Sequence, residues 1–394
     1  IAERLAEVQL PERVARQFPS ELSGGMRQRV AIAAALTAEP RLLIADEPTT
    51  ALDASTQGEV LDLLRALQDR HQMSMILISH DLEVVRGRAH EVMVMRDGTV
   101  VERGDTERVL SAPEHAYTRA LIAANPSLDD ALLPETPAAE PLLVASGLGK
   151  SFGSFAALDR VDVAVAAGEV VAIVGESGSG KSTLARCIAG LERPDRGSVT
   201  LAGETLPPGR RGRTPGQMQI VFQDPYSTLN PMFTVGQSLR EALAAAGRPA
   251  SEVPGLLELV DLDPALAERR PAQLSGGQRQ RVAIARALAP RPRVLICDES
   301  VSALDVSVQA QILALLGRLR DELGLAMLFI THDLGVVARI ASRVLVLRRG
   351  SAVEQGSVHR VLREPQHPYT QLLVSSARHE GSAESHSPST KAES

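Results

Sequence analysis

The chain has 394 residues, of which 44% are hydrophobic, 23% charged and only 2% aromatic, with no Trp and a formal net charge of -6. That length suggests about two domains, and the composition is that of a soluble globular protein whose cores are built from Leu, Val, Ile and Ala. The acidic balance gives no electrostatic footprint for nucleic acid, and no apolar run approaches the roughly 18 residues that span a bilayer.

Taken in chain order, the first residue is Ile1 rather than Met, and no basic stretch leads into an apolar run and cleavage site. A signal peptide is therefore not expected, whereas a start cut from a longer chain is. Residues 21–30 read ELSGGMRQRV. Arg41-Leu-Leu-Ile-Ala-Asp46-Glu47 then predicts a buried strand ending in two acids, followed later by Ser79-His80-Asp81 and by Glu114-His-Ala-Tyr-Thr-Arg-Ala-Leu121. All of these return further along at a fixed offset of 252, pairing Ser23 with Ser275, Glu47 with Glu299, Asp53 with Asp305, His80 with His332 and His115 with His367. From Leu22 to Asp53, 22 of 32 positions are identical under that shift, which predicts two copies of one domain. Residues 1–124 are read as the C-terminal part of a first copy, because the first-copy counterparts of Lys181 and Gln223 would precede Ile1.

Residues 125–140 are rich in Pro and Ala and carry acidic but no basic side chains, as in an extended linker; 141–380 form a complete second copy. Within it, Val170 to Val174 is an all-apolar run of the kind found in parallel strands buried on both faces. It leads into Gly175-Glu-Ser-Gly-Ser-Gly180-Lys181-Ser182 and then into the helical apolar pattern Leu184, Ile188, Leu191. In this strand, glycine loop and helix, backbone N–H groups turn toward a phosphate and the helix N-terminus adds positive potential. Lys181 reaches the β/γ-phosphates, and Ser182 has the hydroxyl that holds Mg²⁺.

Gln223 follows an apolar run, Gln219-Ile-Val-Phe, and QLSGGQRQRV at 273–282 repeats the opening motif, with Ser275-Gly-Gly opening a helix from Arg279 to Leu288. Arg293-Val-Leu-Ile-Cys-Asp298-Glu299 is a further buried strand ending in two acids, where ligands of open α/β sheets bind. Adjacent strand residues point to opposite sides, so Asp298 can serve Mg²⁺ while Glu299 turns to an attacking water. Thr331-His332-Asp333 closes the next strand, Leu325 to Ile330, which places His332 on the same sheet edge. Cys187 and Cys297 lie in apolar surroundings without metal-ligand spacing and read as buried, reduced thiols. Residues 381–394, Ser-rich and nearly without apolar side chains, read as a disordered tail.

LSGGQ downstream of this phosphate loop resembles the nucleotide-binding domains of ABC-type ATPases over nearly the whole chain apart from linker and tail. The resemblance implies an α/β P-loop fold with a mixed sheet core and a helical signature subdomain, here as a tandem repeat. It also implies ATP and Mg²⁺ as cofactors. On the second copy, ATP is expected on Gly175, Glu176, Ser177, Gly178, Ser179, Gly180, Lys181, Ser182 and Thr183. Phe152 resembles the aromatic that stacks on adenine, with Phe155 close enough to compete for that role. Mg²⁺ is expected on Ser182, Gln223 and Asp298, with Glu299 as catalytic base, His332 as switch histidine, Gln223 as the Q-loop glutamine and Ser302-Ala-Leu-Asp305 as the D-loop.

In this family two domains sandwich two nucleotides head to tail. Ser23, Gly24 and Gly25 would therefore face the nucleotide on Gly175 to Ser182, and Ser275, Gly276 and Gly277 would face another. Two positions depart from the pattern: Ser300 replaces the Pro that commonly follows the Asp-Glu pair, and Met26 replaces Gln in the first signature. Neither change removes a ligand.

Glu364-Pro-Gln-His-Pro-Tyr-Thr-Gln-Leu-Leu373, its counterpart at 114–121, and Phe222-Gln-Asp-Pro-Tyr-Ser-Thr-Leu-Asn-Pro231 resemble dipeptide/oligopeptide importer ATPases. The H-P-Y-T stretch itself is read as a turn that starts a helix, with no ligand role. This resemblance implies two transmembrane permease subunits as partners, an extracytoplasmic solute-binding protein acting indirectly, no nucleic acid, and a peripheral place on the cytoplasmic face of the cell membrane. The competing reading, a soluble twin-cassette ATPase acting on ribosomes or DNA, would call for a long charged insert, Cys clusters or a basic patch, and the sequence has none.

Overall fold

The structure, a computed structural model, describes residues 1–49, 54–79, 81–125, 128, 132–133, 140–209, 212–224, 228–302 and 304–381. Most of the expected linker, the tail beyond Gly381, Asp53 and His80 lie outside the described residues. The chain divides into two compact units, Ile1–Asn125 with the residues from Ser375 onward, and Pro126–Val374.

In the first unit, helix Gly24–Leu36 begins at Ser23, whose Oγ accepts the Met26 N–H at 3.3 Å. Strands β1 (Leu42–Asp46) and β2 (Ser74–Ile78) pair in parallel, and β3 (Glu91–Arg96) and β4 (Thr99–Asp105) form an antiparallel hairpin. Its turn, Asp97-Gly98, has φ of 50° and 78°, the left-handed pair that matches the twist of a two-residue hairpin. Helix Ala54–His71 places Val60, Leu61, Leu64 and Leu67 on one face at helical spacing, and they pack with Leu36 and Leu43 into one core. The strands are only partly covered: Ile44, Ile76, Met93 and Met95 are exposed.

The second unit adds β5 (Pro141–Phe152), β6 (Phe155–Ala166), β7 (Val170–Val174), β8 (Arg196–Leu201), β9 (Glu204–Leu206), β10 (Met218–Val221), β11 (Val294–Asp298), β12 (Ala326–Ile330), β13 (Arg343–Arg348) and β14 (Ser351–Ser357). An antiparallel sheet runs β6-β5-β8-β9, and a six-stranded sheet runs β10-β11-β12-β7-β13-β14. The latter is parallel except for β14, which returns antiparallel to β13. Every residue of β7, β11 and β12 is buried, which explains their unbroken apolar runs: strands covered on both faces have no solvent side to alternate with. Leu143, Ile173, Leu184, Ile188, Ile296 and Leu328 belong to one core that joins the two sheets through helix Lys181–Ile188.

Helices Val235–Ala245, Val253–Leu259 and Gly276–Leu288 pack together as a helical subdomain. The last of these starts earlier than the expected Arg279, because Ser275 and Gln278 form a reciprocal capping box that fixes the first turn at the glycines. Cys187 and Cys297 are buried and unbridged, and burial pushes the Cys187 thiol up to about 11, a value that leaves it inert.

Candidate functional site

β11, β12 and β7 are parallel neighbours, so the segments that follow them leave the sheet at one edge. That edge receives the glycine loop after β7, Asp298 and Glu299 at the end of β11, and His332 just beyond β12. The loop needs its glycines for steric reasons. A Cβ on Gly175, at φ 149°, would lie 2.2 Å from the Leu347 carbonyl oxygen, and one on Gly180, at φ 106°, would lie 2.5 Å from that of Ala157.

Lys181 is buried, and its ammonium donates to the carbonyls of Gly175 at 2.6 Å and Glu176 at 2.8 Å, which holds the charge inside the turn. Ser182 Oγ donates to Asp298 Oδ1 at 3.1 Å, bringing a hydroxyl and a carboxylate together as two hard oxygen donors. Burial, and then the neighbouring Glu299 charge, raises the Asp298 carboxyl, partly offset by the Ser182 bond. Ser179 Oγ is buried at the inner wall of the loop without a protein partner among the described residues.

Glu299 takes a left-handed backbone conformation, φ 48°, with its N–H bonded to the Ile330 carbonyl at 3.0 Å, and Glu47 repeats this in the first unit with φ 44° and a bond to Ile78. This twist turns the Glu299 side chain away from Asp298 and toward His332, whose Nδ1 is 3.9 Å from Glu299 Oε1. The close approach of His332, and then its charge, hold the Glu299 carboxyl below its ordinary value. The same contact raises His332 against the opposing effect of burial.

The sign of the linkage follows from these directions. A raised histidine contributes stability that is fully present below its ordinary value and fades as pH rises through the folded value. A lowered glutamate contributes above its ordinary value and fades as pH falls through its folded value. The unfolding midpoint of the wild type relative to His332→Gln is therefore expected to differ most between about pH 4.5 and 6.5, the two ordinary values, and to converge on either side. A pH-independent difference in thermal unfolding would show that the contact is not made.

Gln223 lies just beyond β10, within reach of the turn that follows β11. Its amide nitrogen donates to Ser302 Oγ at 3.3 Å, and that hydroxyl donates to the Glu299 carbonyl at 3.0 Å, so Gln223 braces the segment after Asp298 and Glu299. Phe152 and Phe155 face each other at the tip of the β5–β6 hairpin, both half exposed or more, with the Lys150 ammonium 5.2 Å from the Phe152 ring centroid. Ser275 and its glycines lie at an accessible helix N-terminus, as do Ser23 and Gly24 in the first unit. Ser300, which stands where Pro was expected, is buried in the turn after Glu299.

One contact was not foreseen. The Tyr369 hydroxyl, from the H-P-Y-T stretch, accepts the backbone N–H of Glu176 at 3.0 Å, so that this loop amide is directed to Tyr369. The two residues are 193 positions apart, and only the neighbouring places of β7 and β13 in the sheet bring them together.

The ABC transporter family matches residues 1–50 and 158–302, and the C-terminal region of oligopeptide/dipeptide transporters matches 101–155 and 353–392. The peptidoglycan transport ATP-binding protein YejF of Agrobacterium fabrum is 42% identical over 393 residues, covering 93% of this chain and 70% of that protein. The glutathione import ATP-binding protein GsiA of Escherichia coli is 42% identical over 415 residues, covering 94% and 67%. Among solved structures, cbiO1 from Clostridium perfringens, part of the ABC transporter complex cbiONQ, superposes with a TM-score of 0.53 at 30% identity over 57% of this chain and 92% of that one. An ATP-binding cassette of an ABC transporter in its ADP conformation gives 0.52 at 26% identity over 59% and 99%. A glycine loop on a buried parallel strand, paired carboxylates at the adjoining strand end and these relatives lead to one conclusion: the chain belongs to the ATP-binding proteins of ABC transporters, in the oligopeptide/dipeptide group, and is an ABC-type ATPase coupled to transport.

Proposed function

We propose that this ATPase powers the import of peptides or closely related small solutes. The carrying observation is the oligopeptide/dipeptide C-terminal pattern, present at 101–155 and again at 353–392. The two relatives, named for peptidoglycan and glutathione transport, handle compounds that share peptide-type amide linkages. The ATPase works as part of a transporter complex with two permease subunits, peripheral to the membrane on its cytoplasmic side, and a solute-binding protein delivers cargo from outside. No helix among the described residues is long and apolar enough to cross a membrane. Deleting the gene should abolish uptake of radiolabelled di- or oligopeptides, restored by the wild-type gene but not by Glu299→Gln. Unchanged uptake of dipeptides, oligopeptides and glutathione in the deletion strain would refute the reading.

In the mechanism the loop N–H groups and Lys181 bind the phosphates, and the fixed helix dipole at Lys181 stabilises them. The donor pair Ser182 Oγ and Asp298 Oδ1 fits a hard divalent cation, and Mg²⁺ held there supplies charge neutralisation on the phosphate oxygens. Glu299, kept ionised by His332, orients the attacking water and accepts its proton. His332, raised by its contact with that carboxylate, holds it in place and faces the terminal phosphate from the same sheet edge. Gln223, through Ser302, couples the segment after β10 to the backbone of Glu299, a route by which contact with a permease would be felt at the base.

The chain further contains two copies of the cassette, residues 1–124 carrying the later part of one and 141–380 the whole of the other. Support comes from the element bounds. Helices Gly24–Leu36 and Gly276–Leu288, strands β1 and β11, β2 and β12, β3 and β13, and β4 and β14 all begin and end at positions 252 apart. Both units also use one side-chain device after the hairpin. Glu354 accepts the N–H groups of Gln366 and His367, and His367 Nδ1 accepts that of Tyr369; in the first unit Glu102, Glu114, His115 and Tyr117 do the same. Cassettes pair head to tail, within one chain or between chains, so that Ser23, Gly24 and Gly25 complete the nucleotide site on Gly175 to Ser182, while Ser275, Gly276 and Gly277 serve a second nucleotide.

A further inference from the structure

We propose that Tyr369 is a positioning residue for the phosphate loop: its hydroxyl captures the Glu176 N–H and so holds the loop in the shape that receives ATP. The inference rests on the reading that Gly175 to Ser182 hold the phosphates of ATP.

The loop is clasped from one side by the end of β13 and its turn into β14. The Leu347 carbonyl oxygen lies against Gly175, and Gly350 donates its N–H to the Ser179 carbonyl at 2.9 Å. Those contacts fix the two ends of the loop but leave the amide of Glu176, an exposed residue, to find its own acceptor. Tyr369 provides it at 3.0 Å. A phenol oxygen is a useful acceptor here only if the ring cannot swing, and three features hold it. Tyr369 is 3% exposed, the Arg348 guanidinium lies 4.8 Å from its ring centroid, and its own N–H is bound by His367 Nδ1 at 3.1 Å.

The first unit builds the same seat around Tyr117. Arg96 lies 5.2 Å from the Tyr117 ring centroid, and His115 Nδ1 accepts the Tyr117 N–H at 3.1 Å, reproducing the seat of Tyr369. The arginine, histidine and glutamate thus organise the start of a helix in both units. Removing only the hydroxyl leaves the seat intact. The freed Glu176 amide then turns to solvent, and the loop samples shapes that must be reversed before the phosphates bind. The loss therefore falls on ATP affinity rather than on the chemical step.

Steady-state ATP hydrolysis and equilibrium ATP binding by the purified full chain test this. Tyr369→Phe should raise the Kd and KM for ATP about five-fold, with kcat within two-fold of wild type. Glu176→Pro removes the amide hydrogen itself, so adding Tyr369→Phe to it should produce no further loss, whereas independent effects would multiply. The proposal is overturned if folded Tyr369→Phe, checked by circular dichroism, binds ATP as wild type does. Failure of the wild-type chain to bind ATP would instead remove the underlying reading of the loop. A wild type that binds and a Tyr369→Phe that binds equally well would remove only the role of Tyr369.

Discussion

Glu299→Gln is expected to lower steady-state ATP hydrolysis by about two to four orders of magnitude while ATP still binds with near wild-type affinity. The amide keeps the size of the carboxylate but can neither take a proton from water nor hold the charge that raises His332. Nothing in the loop depends on it: Lys181 is seated on the Gly175 and Glu176 carbonyls and Ser182 on Asp298. Binding and turnover should therefore separate, with a slowly hydrolysing, ATP-loaded protein accumulating. Radiolabelled phosphate release and filter binding on the same preparation give both quantities. Turnover within a few-fold of wild type would remove Glu299 as the base and turn attention to the His332 side of the edge.

Ser23→Arg should reduce ATP hydrolysis at Gly175 to Ser182 by about tenfold or more, the scale on which a misplaced catalytic partner acts. Ser23 stands exposed at the start of a 13-residue helix and satisfies the Met26 N–H through its Oγ. An arginine there has no acceptor for that N–H, costing about 1 kcal/mol of cap, and its long side chain fills the space in front of the helix dipole. Ser23→Ala is the control, since it loses the cap without filling the space and should cost much less turnover. If hydrolysis by Ser23→Arg stays within two-fold of wild type while the variant remains folded, the first signature does not serve the second copy's nucleotide.

The parts of the site that were legible in the sequence are those built from contiguous residues. Val170 to Val174 was read as a buried strand and is one, because a strand covered on both faces writes an uninterrupted apolar run. Asp298 and Glu299 were placed at a strand end by the same logic, and β11 stops at Asp298. The left-handed backbone at Glu299 was not readable, since it is imposed by the bond from its N–H to Ile330 on the neighbouring strand rather than by local preference. Gln223 was identified as a loop residue, but its partner Ser302 depends on how the turn after β11 is packed. Tyr369 was dismissed as part of a helix-starting turn, which it is; its bond to Glu176 depends on sheet order, a property that local pattern does not encode.

The backbone at Glu299 has an evolutionary consequence. A side chain held at φ 48° costs on the order of 1 kcal/mol relative to glycine, and Glu47 carries the same charge on the fold at φ 44°. Selection for stability alone would erode both positions toward glycine or asparagine, which occupy that conformation at little expense. Glycine at 299 would adopt the torsion at less cost but would remove the carboxylate that faces His332, so relaxing the backbone and keeping that contact cannot both be had.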